Sequence, residues 1–487
     1  MEPALVGRGG ASFWQVSTGR AQSPRPSLEA DVEADVCIVG AGYTGLWTAW
    51  ALLEADPDQR VVVVEAQSAG YGASGRNGGW LSGLLPANRA GLAGAGGRAG
   101  VVALQRAVID AVESIGAITA AEGIDCDYHR GGTLAVAVTP GQMDRLRAGV
   151  ADDRLWGLSD DDVRLLDAES VSARVRVGGA VGGVFKRSCA RIQPFKLATG
   201  LAAAVERKGA VLYEHSPALS VAPGHVACRA GSVRAPWIVV ATEGYSGSLP
   251  DRRRRLLPMN SSMIVTRPLP AEAWAAIGWE GAETLMDGGH MYAYLQRTAD
   301  ERIAVGGRGV PYRYGSRTAR SAVSGAEVPT AAATVAALEG TLRRMFPQVE
   351  PSALRAEQAW SGVLGVARDW CPFVRVETGR RGTGGPGRVG GVGGVVSAGG
   401  YVGDGVTTSH VAGRTVADLV LGRDSPLTRM PWVDHRARDW EPEPLRWLGV
   451  RAVYGLYRAA DRSEGRRPDR AEPSAWARVA DLLAGRH

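Results

Sequence analysis

The chain has 487 residues, of which 45% are hydrophobic and 22% charged, a composition typical of a globular enzyme with a large buried core. This composition excludes a predominantly disordered protein, and the length allows two or more lobes. The net charge is +6, but the one dense basic run, the four arginines at 252–255, lacks interleaved aromatic residues, so we predict no nucleic-acid partner.

Residues 34–65 predict a strand, a glycine-rich turn, a helix and a second strand. The apolar run DVCIV is typical of a buried parallel strand, and Gly40, Gly42 and Gly45 follow it in the spacing of a dinucleotide-binding fingerprint. The next helix would present its first N–H groups to a pyrophosphate. The second strand ends at Glu65, 20 residues after Gly45, where a carboxylate would bind an adenosine ribose and repel the extra phosphate of NADP. The segment predicts FAD or NAD, with an unrelated glycine turn as the alternative.

A second glycine-rich stretch, YGASGRNGGW at 71–80, predicts a loop whose backbone approaches a ligand closely. It follows the ribose-binding position, where a dinucleotide would continue outward, and a flexible surface loop is the alternative. Periodicity and turn residues then predict these elements: helices over 106–122 and 195–208, strands over 132–138 and 210–214, and a strand running into a turn over 237–244.

Between residues 259 and 310 the pattern changes to short alternating strands, such as 263–266 and 290–295. This change predicts a second lobe built on an antiparallel or mixed sheet. The very glycine-rich residues 379–394 predict a mobile hairpin loop.

A late glycine turn distinguishes FAD from NAD as the predicted cofactor. The strand at 395–398 runs into GGYVGDG at 399–405 and a helix over 406–421. The N-terminal partial positive charge of that helix would face the far end of a longer ligand and stabilise a reduced, anionic flavin ring. We therefore predict FAD rather than NAD, although an NAD-dependent dehydrogenase remains a rival that the colour of the pure protein would exclude.

Cysteine, histidine and hydropathy patterns restrict the remaining possibilities. Five cysteines occur singly and seven histidines form no ligand spacing, so we expect no disulfide framework and no metal. Isolated thiols favour a reducing, cytoplasmic compartment. The first 30 residues lack a signal-peptide core, and no run approaches the roughly 20 apolar residues of a membrane span.

The carboxyl-terminal region predicts a basic amphipathic helix over 440–458. Such a helix would pack on the protein or on a partner subunit, which allows a homo-oligomer, or it would lie on a membrane surface. Residues 461–473 predict a loose linker before a short terminal helix.

Together these motifs resemble the D-amino-acid-oxidase-type FAD oxidoreductases, and within them the γ-glutamylputrescine oxidoreductase branch. The resemblance covers residues 12–422 and rests on these segments: ADVCIVGAGYTGL at 34–46, GASGRNGG at 72–79, YEHSP at 213–217, AWSG at 359–362 with Asp369 and Pro372, and GDGVT at 403–407. It implies an α/β fold in which a Rossmann-like FAD-binding domain is interleaved with a substrate domain on a mixed or antiparallel sheet. We expect the FAD-binding domain at 30–100, 185–255 and 355–422, the substrate domain at 101–184 and 256–354, and a C-terminal helical extension at 423–487.

The resemblance implies noncovalent FAD, because relatives that attach the flavin use a cysteine that is missing at 360–363, and Cys371 lies too late. Leu219 would contact the adenine side through its backbone. The implied cofactor-binding residues are Gly40, Gly42, Tyr43, Thr44, Gly45, Glu65, Ala66, Gly72, Ala73, Ser74, Arg76, Asn77, Gly78, Gly79, Leu219, Ala241, Thr242, Gly365, Gly400, Tyr401, Gly403, Gly405, Val406 and Thr407.

The substrate is expected to lie over the flavin beneath Tyr292 or Tyr294, which could equally be core residues of the second lobe. Thr407 stands where some relatives bind a substrate carboxylate with a lysine, which argues against a free α-amino acid. Where the branch commonly has His-Pro, this chain has Gln193 and a proline. Asp404 could favour a cationic amine near the flavin or cap the following helix, and we prefer the cap.

We expect oxidation of a primary or secondary amine, such as a polyamine or an N-acylated diamine, by hydride transfer to flavin N5. The resulting imine would hydrolyse to an aldehyde, and O2 would reoxidise the flavin. Some relatives use an active-site lysine for the reaction with O2, and none of the three lysines here occupies a matching position. The alternatives are a flavin dehydrogenase that acts on an amino or hydroxy acid with another electron acceptor, and a nonenzymatic flavin-nucleotide-binding module.

Overall fold

The computed structural model describes residues 11–19, 24–307, 309–318, 330–378, 393–466 and 474–484. Nearly all of the predicted glycine-rich hairpin at 379–394 lies outside these residues, as does the second half of the predicted linker at 461–473. In the described part of the chain, no helix combines the length and the apolar character that crossing a membrane requires.

The described segments contain twenty strands and eleven α-helices. In chain order the strands are β1 (Val32–Glu33), β2 (Val36–Val39), β3 (Val61–Val64), β4 (Trp80–Ser82), β5 (Thr133–Ala137), β6 (Val163–Asp167), β7 (Gly182–Lys186), β8 (Cys189–Arg191), β9 (Val211–Tyr213), β10 (Ser220–Ala222), β11 (His225–Ala227), β12 (Ser232–Arg234), β13 (Trp237–Val240), β14 (Leu257–Thr266), β15 (Thr284–Asp287), β16 (Tyr294–Arg297), β17 (Ile303–Gly307), β18 (Ala356–Val366), β19 (Phe373–Thr378) and β20 (Gly394–Gly399). The helices are α1 (Phe13–Val16), α2 (Tyr43–Ala55), α3 (Arg89–Ala121), α4 (Pro140–Leu155), α5 (Ala168–Ser172), α6 (Pro194–Arg207), α7 (Ala271–Ile277), α8 (Ala332–Met345), α9 (Gly405–Val420), α10 (Leu445–Gly465) and α11 (Ala475–Ala484).

A six-stranded sheet with the order β19-β20-β13-β2-β3-β9 contains both predicted glycine turns, and all of its strands are parallel except the edge strand β19. Strands β2, β3 and β13 are buried along their whole length, which explains their unbroken apolar sequences. Val39 pairs with both Val64 and Val240, so the carboxyl ends of these three strands lie level. Because ligands bind at this edge of an open parallel sheet, Gly40 and Glu65 follow their strands at the expected place.

Both faces of this sheet are covered. Alternate residues of β2 point in opposite directions, so that Ile38 packs toward α2, α3, α6 and α9, whereas Cys37 packs toward the small sheet β1-β12-β11-β10. Helices α2 and α9 pack closely, since a Cβ atom at Gly413 would lie only 2.7 Å from the carbonyl carbon of Trp47. The absence of a side chain at Gly413 allows this approach. The N-termini of these two helices carry the two predicted ends of the cofactor site.

The second lobe is built on an eight-stranded sheet with the order β18-β14-β17-β16-β15-β5-β7-β6. Strands β5 and β15 pair in parallel, and the other neighbours pair antiparallel, which confirms the predicted mixed sheet. Trp279 and Phe346 are fully buried in its core with residues of α7 and α8. Strand β18 belongs to this sheet although it lies in a segment predicted for the FAD-binding domain, and the domain limits themselves stay a prediction.

Two helices are longer than predicted. Helix α3 begins at Arg89, well before the predicted start, and its glycine-rich first half, which is interrupted at Gly97 with φ +69°, shows no apolar periodicity that could reveal it. Helix α10 begins after Pro444 and continues to Gly465, through the first part of the predicted linker. Its Tyr457 is buried, so this helix packs on the protein itself.

Candidate cofactor and substrate site

Two joined cavities lie at the carboxyl ends of the parallel strands. The first, of about 490 Å³, which we call the dinucleotide cavity, runs from Glu65 to the N-terminus of α9. The second, of about 230 Å³, which we call the adjoining cavity, extends from α9 to the eight-stranded sheet. Both cavities are lined by Ala73, Asn77, Val363, Leu364, Gly403 and Val406. A ligand that fills the dinucleotide cavity would therefore form a wall of the adjoining cavity.

The first glycine turn needs glycine for steric reasons. Gly40 has φ +109°, and a Cβ atom there would lie 2.8 Å from the carbonyl oxygen of Ala241 at the end of β13. A Cβ atom at Gly45 would lie 1.9 Å from the carbonyl oxygen of Gly40, so α2 can approach its preceding strand only with glycine at this position. The turn thus brings the N-terminus of α2 against the cavity, as an anion-binding fingerprint requires.

Glu65 lies beside the first residues of this turn. Its Oε2 accepts a hydrogen bond from the Ala41 N–H at 2.8 Å, and its Oε1 accepts one from the Gln67 N–H at 2.9 Å. Burial raises the pKa of Glu65, and these two bonds oppose that effect. Nearby, Leu219 lines the same end of the cavity, but its N–H already donates to the carbonyl oxygen of Ala227 at 2.7 Å.

The loop after β3 is a firmly bonded wall of both cavities. Ser74 Oγ accepts a hydrogen bond from the Tyr43 N–H at 2.9 Å, which ties the loop to the first turn of α2. Asn77 donates from Nδ2 to the carbonyl oxygens of Ala73 and Ser74, and its Oδ1 accepts from the Gly79 N–H at 2.7 Å. These bonds fix the backbone at the place where the sequence predicts the pyrophosphate-to-flavin path.

The late glycine turn closes the far end of the dinucleotide cavity. Tyr401 is buried, and its hydroxyl lies 3.1 Å from Thr44 Oγ1, so a hydrogen bond joins the second glycine turn to α2. Gly405 and Ser409 of α9 also line the cavity, and Ser409 was not among the predicted residues. The N-terminus of α9 therefore faces the end of the cavity that is remote from Glu65, as the flavin ring requires.

Most of the predicted cofactor residues are brought together. The dinucleotide cavity is lined by Gly40, Gly42, Tyr43, Thr44, Glu65, Ala66, Gly72, Ala73, Ser74, Asn77, Leu219, Ala241, Thr242, Tyr401, Gly403, Gly405 and Val406, and the adjoining cavity by Arg76 and Gly78. The structure does not bring to either cavity the five residues Gly45, Gly79, Gly365, Gly400 and Thr407. The glycines shape the walls by close backbone packing, and Thr407 is completely buried.

Glu243 is a lining residue that sequence reasoning missed. It follows β13 with φ +43°, and its Oε1 accepts hydrogen bonds from the N–H groups of Gly400 at 2.9 Å and Tyr401 at 3.1 Å. It therefore holds the late glycine turn against the end of the parallel sheet. Burial raises the pKa of Glu243 to about 7. The feature of the sequence that could have revealed Glu243 is an acidic residue shortly after an apolar strand.

Tyr292, Tyr294 and Asp404 all line the adjoining cavity, as predicted for residues near a substrate. The Tyr294 hydroxyl lies 2.8 Å from Ser261 Oγ, and its ring packs against Gly78. Asp404 occupies the N-cap position of α9, but its side chain makes no capping hydrogen bond. The side-chain cap that we preferred for Asp404 is therefore wrong, and the residue lines the adjoining cavity.

The turn that carries Tyr292 is held by the C-terminal helix. Asp461 of α10 accepts hydrogen bonds from the N–H groups of His290 at 2.8 Å and Met291 at 3.1 Å. Glu464 lies 2.9 Å from His290 Nε2 and forms an ion pair with Arg145 at 2.8 Å. No sequence pattern predicts that this distant helix supports the wall of the adjoining cavity.

Four polar residues that sequence reasoning also missed line the adjoining cavity but not its junction with the dinucleotide cavity: Arg89, Gln105, Asp162 and Lys186. They come from α3, the start of β6 and β7, which meet only in the folded chain. Lys186 does not match the position of the oxygen-reactive lysine of some relatives, so the sequence alone predicts no role for it.

The cysteine positions agree with a noncovalent cofactor. All five cysteines are buried, and none of them is among the described residues that line either cavity. The Cys371 thiol points to the carbonyl oxygen of Asn88 at 3.6 Å.

Comparison with known proteins gives the same assignment. Residues 35–419 match the model of the family described as FAD dependent oxidoreductase (DAO). The chain is 29% identical to the γ-glutamylputrescine oxidoreductase of Escherichia coli (strain K12) over 418 residues, which cover 85% of this chain and 89% of that protein.

Among solved structures, glycine oxidase from Geobacillus kaustophilus has a TM-score of 0.67 at 20% identity and covers 84% of this chain and 100% of its own. Glycine oxidase from Bacillus cereus ATCC 14579 has a TM-score of 0.63 at 17% identity and covers 80% of this chain and 98% of its own. These structures share the fold of both lobes. Since the family model spans most of the chain and the dinucleotide cavity fits the cofactor at both ends, the chain belongs to the FAD dependent oxidoreductase family and is an enzyme that binds FAD noncovalently.

Proposed function

We propose that this enzyme oxidises a C–N bond of a primary or secondary amine, giving an imine that water hydrolyses to an aldehyde and ammonia or a smaller amine, with O2 as the reoxidant, which is reduced to H2O2. The observation that carries the proposal is the adjoining cavity, which meets the flavin end of the dinucleotide cavity and is lined there by Asp404, Tyr292 and Tyr294. Bound FAD would accept the two electrons of the oxidation. The chain itself would bind the amine, orient it and exclude water.

Asp404 has the charge that recruits an amine. A free aliphatic amine is protonated in neutral solution, so a carboxylate at this end of the cavity attracts it. An α-amino acid would bring its own carboxylate beside Asp404, and the two like charges would repel each other. This electrostatic argument favours an amine over a free α-amino acid.

The two tyrosines would orient the bound chain. The hydrogen bond to Ser261 and the contact with Gly78 fix the Tyr294 ring, while Tyr292 lines the cavity from the turn held by α10. Val363, Leu364 and Val406 make the junction of the two cavities apolar, which would keep water away from the reacting carbon. We assign the adenosine ribose to Glu65 and the pyrophosphate to the turn at Gly40 and the N-terminus of α2.

The substrate class follows from the shape of the cavity. A cavity that continues well beyond the flavin end suits a long amine, such as a polyamine or an N-acylated diamine. The relative that is named for γ-glutamylputrescine, an N-acylated diamine, agrees with this class.

The test is anaerobic reduction of the bound flavin, followed by absorbance. We expect putrescine or γ-glutamylputrescine to bleach the flavin, glycine to have no effect, and air to restore the colour. Asp404→Asn should raise KM for the amine about tenfold, whereas Asp439→Asn, which changes an exposed aspartate near Arg254, should not. If no amine reduces the flavin, the proposal fails.

The same measurement decides between oxidase and dehydrogenase. A flavin that amines reduce but air does not reoxidise would instead indicate a dehydrogenase that uses another electron acceptor. A homo-oligomer through the C-terminal helices stays a prediction, because Trp476, Leu482 and Leu483 of α11 are exposed but nothing identifies what covers them. Light scattering of the full chain and of a chain ending at residue 466 would measure it.

A further inference from the structure

Charged residues line two parts of the adjoining cavity. Near the junction with the dinucleotide cavity its lining includes Asp404 and Arg76, and away from that junction it includes Arg89 of α3 and Lys186 of β7. The walls are otherwise mostly apolar, with Ile109 and Met286 among them. A ligand that spans this cavity therefore meets Asp404 near the junction and two cations away from it.

The two cations share one buried carboxylate. Asp153 is 4% exposed, and it pairs with Arg89 Nη2 at 2.8 Å through Oδ1 and with Lys186 Nζ at 2.6 Å through Oδ2. The second acidic partner of Arg89, Asp152, lies at 3.2 Å and is mostly exposed to solvent, which screens its charge. The two cations therefore have one buried acid between them, and Asp152 is an additional, exposed partner of Arg89 alone.

The acid that lines the same part of the cavity has a cation of its own. Asp162 accepts hydrogen bonds from both terminal nitrogens of Arg106, at 2.9 and 2.8 Å. Burial acts to raise the pKa of Asp162. These bonds and those from Ser159 outweigh burial and lower the pKa to about 2. Asp162 is thus an anion that is already neutralised by Arg106, and Gln105 beside it adds a neutral polar group.

We propose that Lys186 and Arg89 bind a carboxylate at the end of the substrate that is remote from the oxidised amine. This inference rests on the proposed function and deepens it: the substrate class becomes an amine with a distal carboxylate, such as a diamine acylated by a dicarboxylic acid. An N⁺–H···O⁻ hydrogen bond of this kind would complete the coordination of two cations that have one buried acid between them. Lys186 would then determine substrate specificity.

The test compares two probes that differ only at this end. N-Succinylputrescine carries a carboxylate, and N-succinamoylputrescine carries a carboxamide of the same length. We expect the wild-type enzyme to have a kcat/KM at least tenfold higher for the carboxylate probe, mainly through a lower KM. Lys186→Gln should bring the ratio of the two kcat/KM values close to one, and Lys186→Arg should retain most of the preference.

Lys196 provides a matched control. It forms a similar ion pair, with Asp127 at 2.7 Å, and its side chain is 32% exposed compared with 35% for Lys186, but it lines neither cavity. Lys196→Gln should leave the wild-type probe preference in place. Retention of the flavin spectrum in each variant would show that the fold is intact.

A binding measurement separates this inference from the proposed function. N-Butylsuccinamate has the carboxylate but no amine, and calorimetry should show that it binds the wild-type holoenzyme at least tenfold more tightly than the Lys186→Gln variant. If neither putrescine probe reduces the flavin but this binding difference is found, the amine reaction is wrong and the carboxylate site stands. Equal binding to both proteins, or an unchanged probe preference in Lys186→Gln, would overturn the carboxylate site.

Discussion

Glu243 couples the late glycine turn to pH. Because its pKa is raised to about 7, the folded protein holds a proton there that the unfolded chain releases near pH 4.5. The raised pKa of this acid stabilises the fold below the unfolded value, and that contribution is lost as the pH rises through about 7. The free energy of unfolding should therefore decline by up to about 3 kcal/mol as the pH rises. We expect Glu243→Gln, which keeps an acceptor for Gly400 and Tyr401, to remove this decline.

The measurement is the difference in thermal midpoint between wild type and Glu243→Gln from pH 5 to pH 8. The difference should move in favour of the variant from pH 5 to about pH 7 and change little above that. Glu122→Gln is the control: although burial acts to raise it, hydrogen bonds from Trp50 and Lys208 lower the pKa of Glu122. Since Glu122 stays ionised throughout this range, its variant should differ from wild type by a constant amount. A constant difference for Glu243→Gln as well would contradict the prediction.

The hydrogen bond between Tyr294 and Ser261 should be measurable by a double-mutant cycle. We expect Tyr294→Phe and Ser261→Ala each to lower the free energy of unfolding by about 1 kcal/mol, because each removes one partner of a part-buried bond of 2.8 Å. The double variant should lose about 0.5–1.5 kcal/mol less than the sum of the two. Strict additivity in denaturant unfolding of the holoenzyme would show that the two hydroxyls do not stabilise each other.

At the scale of residues, spacing along the chain predicts only the groups that belong to one local motif. Glu65 could be placed from its distance to Gly45 because a single βαβ unit fixes both. Glu243 and Lys186 could not be placed, because their neighbours come from β20, α3 and α4, far along the chain. The capping interpretation of Asp404 failed for the same reason: its position at a helix end does not show that it also lines a cavity formed by distant segments.

At the scale of elements, the crossing of α2 and α9 sets the distance between the two ends of the cofactor site. Gly413→Ala would push a methyl group against the backbone of Trp47 and Thr48, at 2.7 and 2.8 Å, so we expect a loss of about 1–3 kcal/mol and weaker retention of FAD. Gly455→Ala is the matched control, since it is also inside a helix and a Cβ atom there meets nothing within 4 Å. The control should gain about 0.5–1 kcal/mol.

The two variants are compared by thermal midpoint and by the flavin-to-protein absorbance ratio after gel filtration. If Gly413→Ala keeps both values at the wild-type level, the close crossing does not control the cofactor site. A loss in Gly455→Ala as large as that in Gly413→Ala would mean that the effect is not specific to this helix pair.

Elements with a clear period were predicted and those without one were not. Unbroken apolar runs predict the buried strands β2, β3 and β13, and the glycine turn before α9 predicts that helix. The first half of α3 is mostly glycine and alanine, so its helical state depends on tertiary packing rather than on its own pattern. Helix α10 likewise continues past the predicted end, because Asp461 and Glu464 contact the turn at His290.

At the scale of the whole molecule, the α/β class and the mixed second sheet could be predicted, because each glycine turn and each change of period is local. The order of the strands could not, since residues near 61, 211, 237 and 394 enter one sheet through pairings over long distances in the sequence. The joining of the two cavities is a consequence of that order, and the charged far end of the adjoining cavity follows from it.

FAD should stabilise the whole molecule because the dinucleotide cavity is lined by segments from the beginning, middle and end of the chain, near Gly40, Leu219 and Gly405. Removing FAD should lower the thermal midpoint, and free FAD at a hundredfold excess over Kd should restore about 2.7 kcal/mol. ADP, which reaches only the Glu65 end, and FMN, which reaches only the α9 end, should each restore less than FAD. Glu65→Gln should weaken the effect of FAD and ADP but not that of FMN. If FMN stabilised the apoprotein as much as FAD, the contact of the adenosine with Glu65 would contribute nothing, and the assignment of that end of the cavity would be wrong.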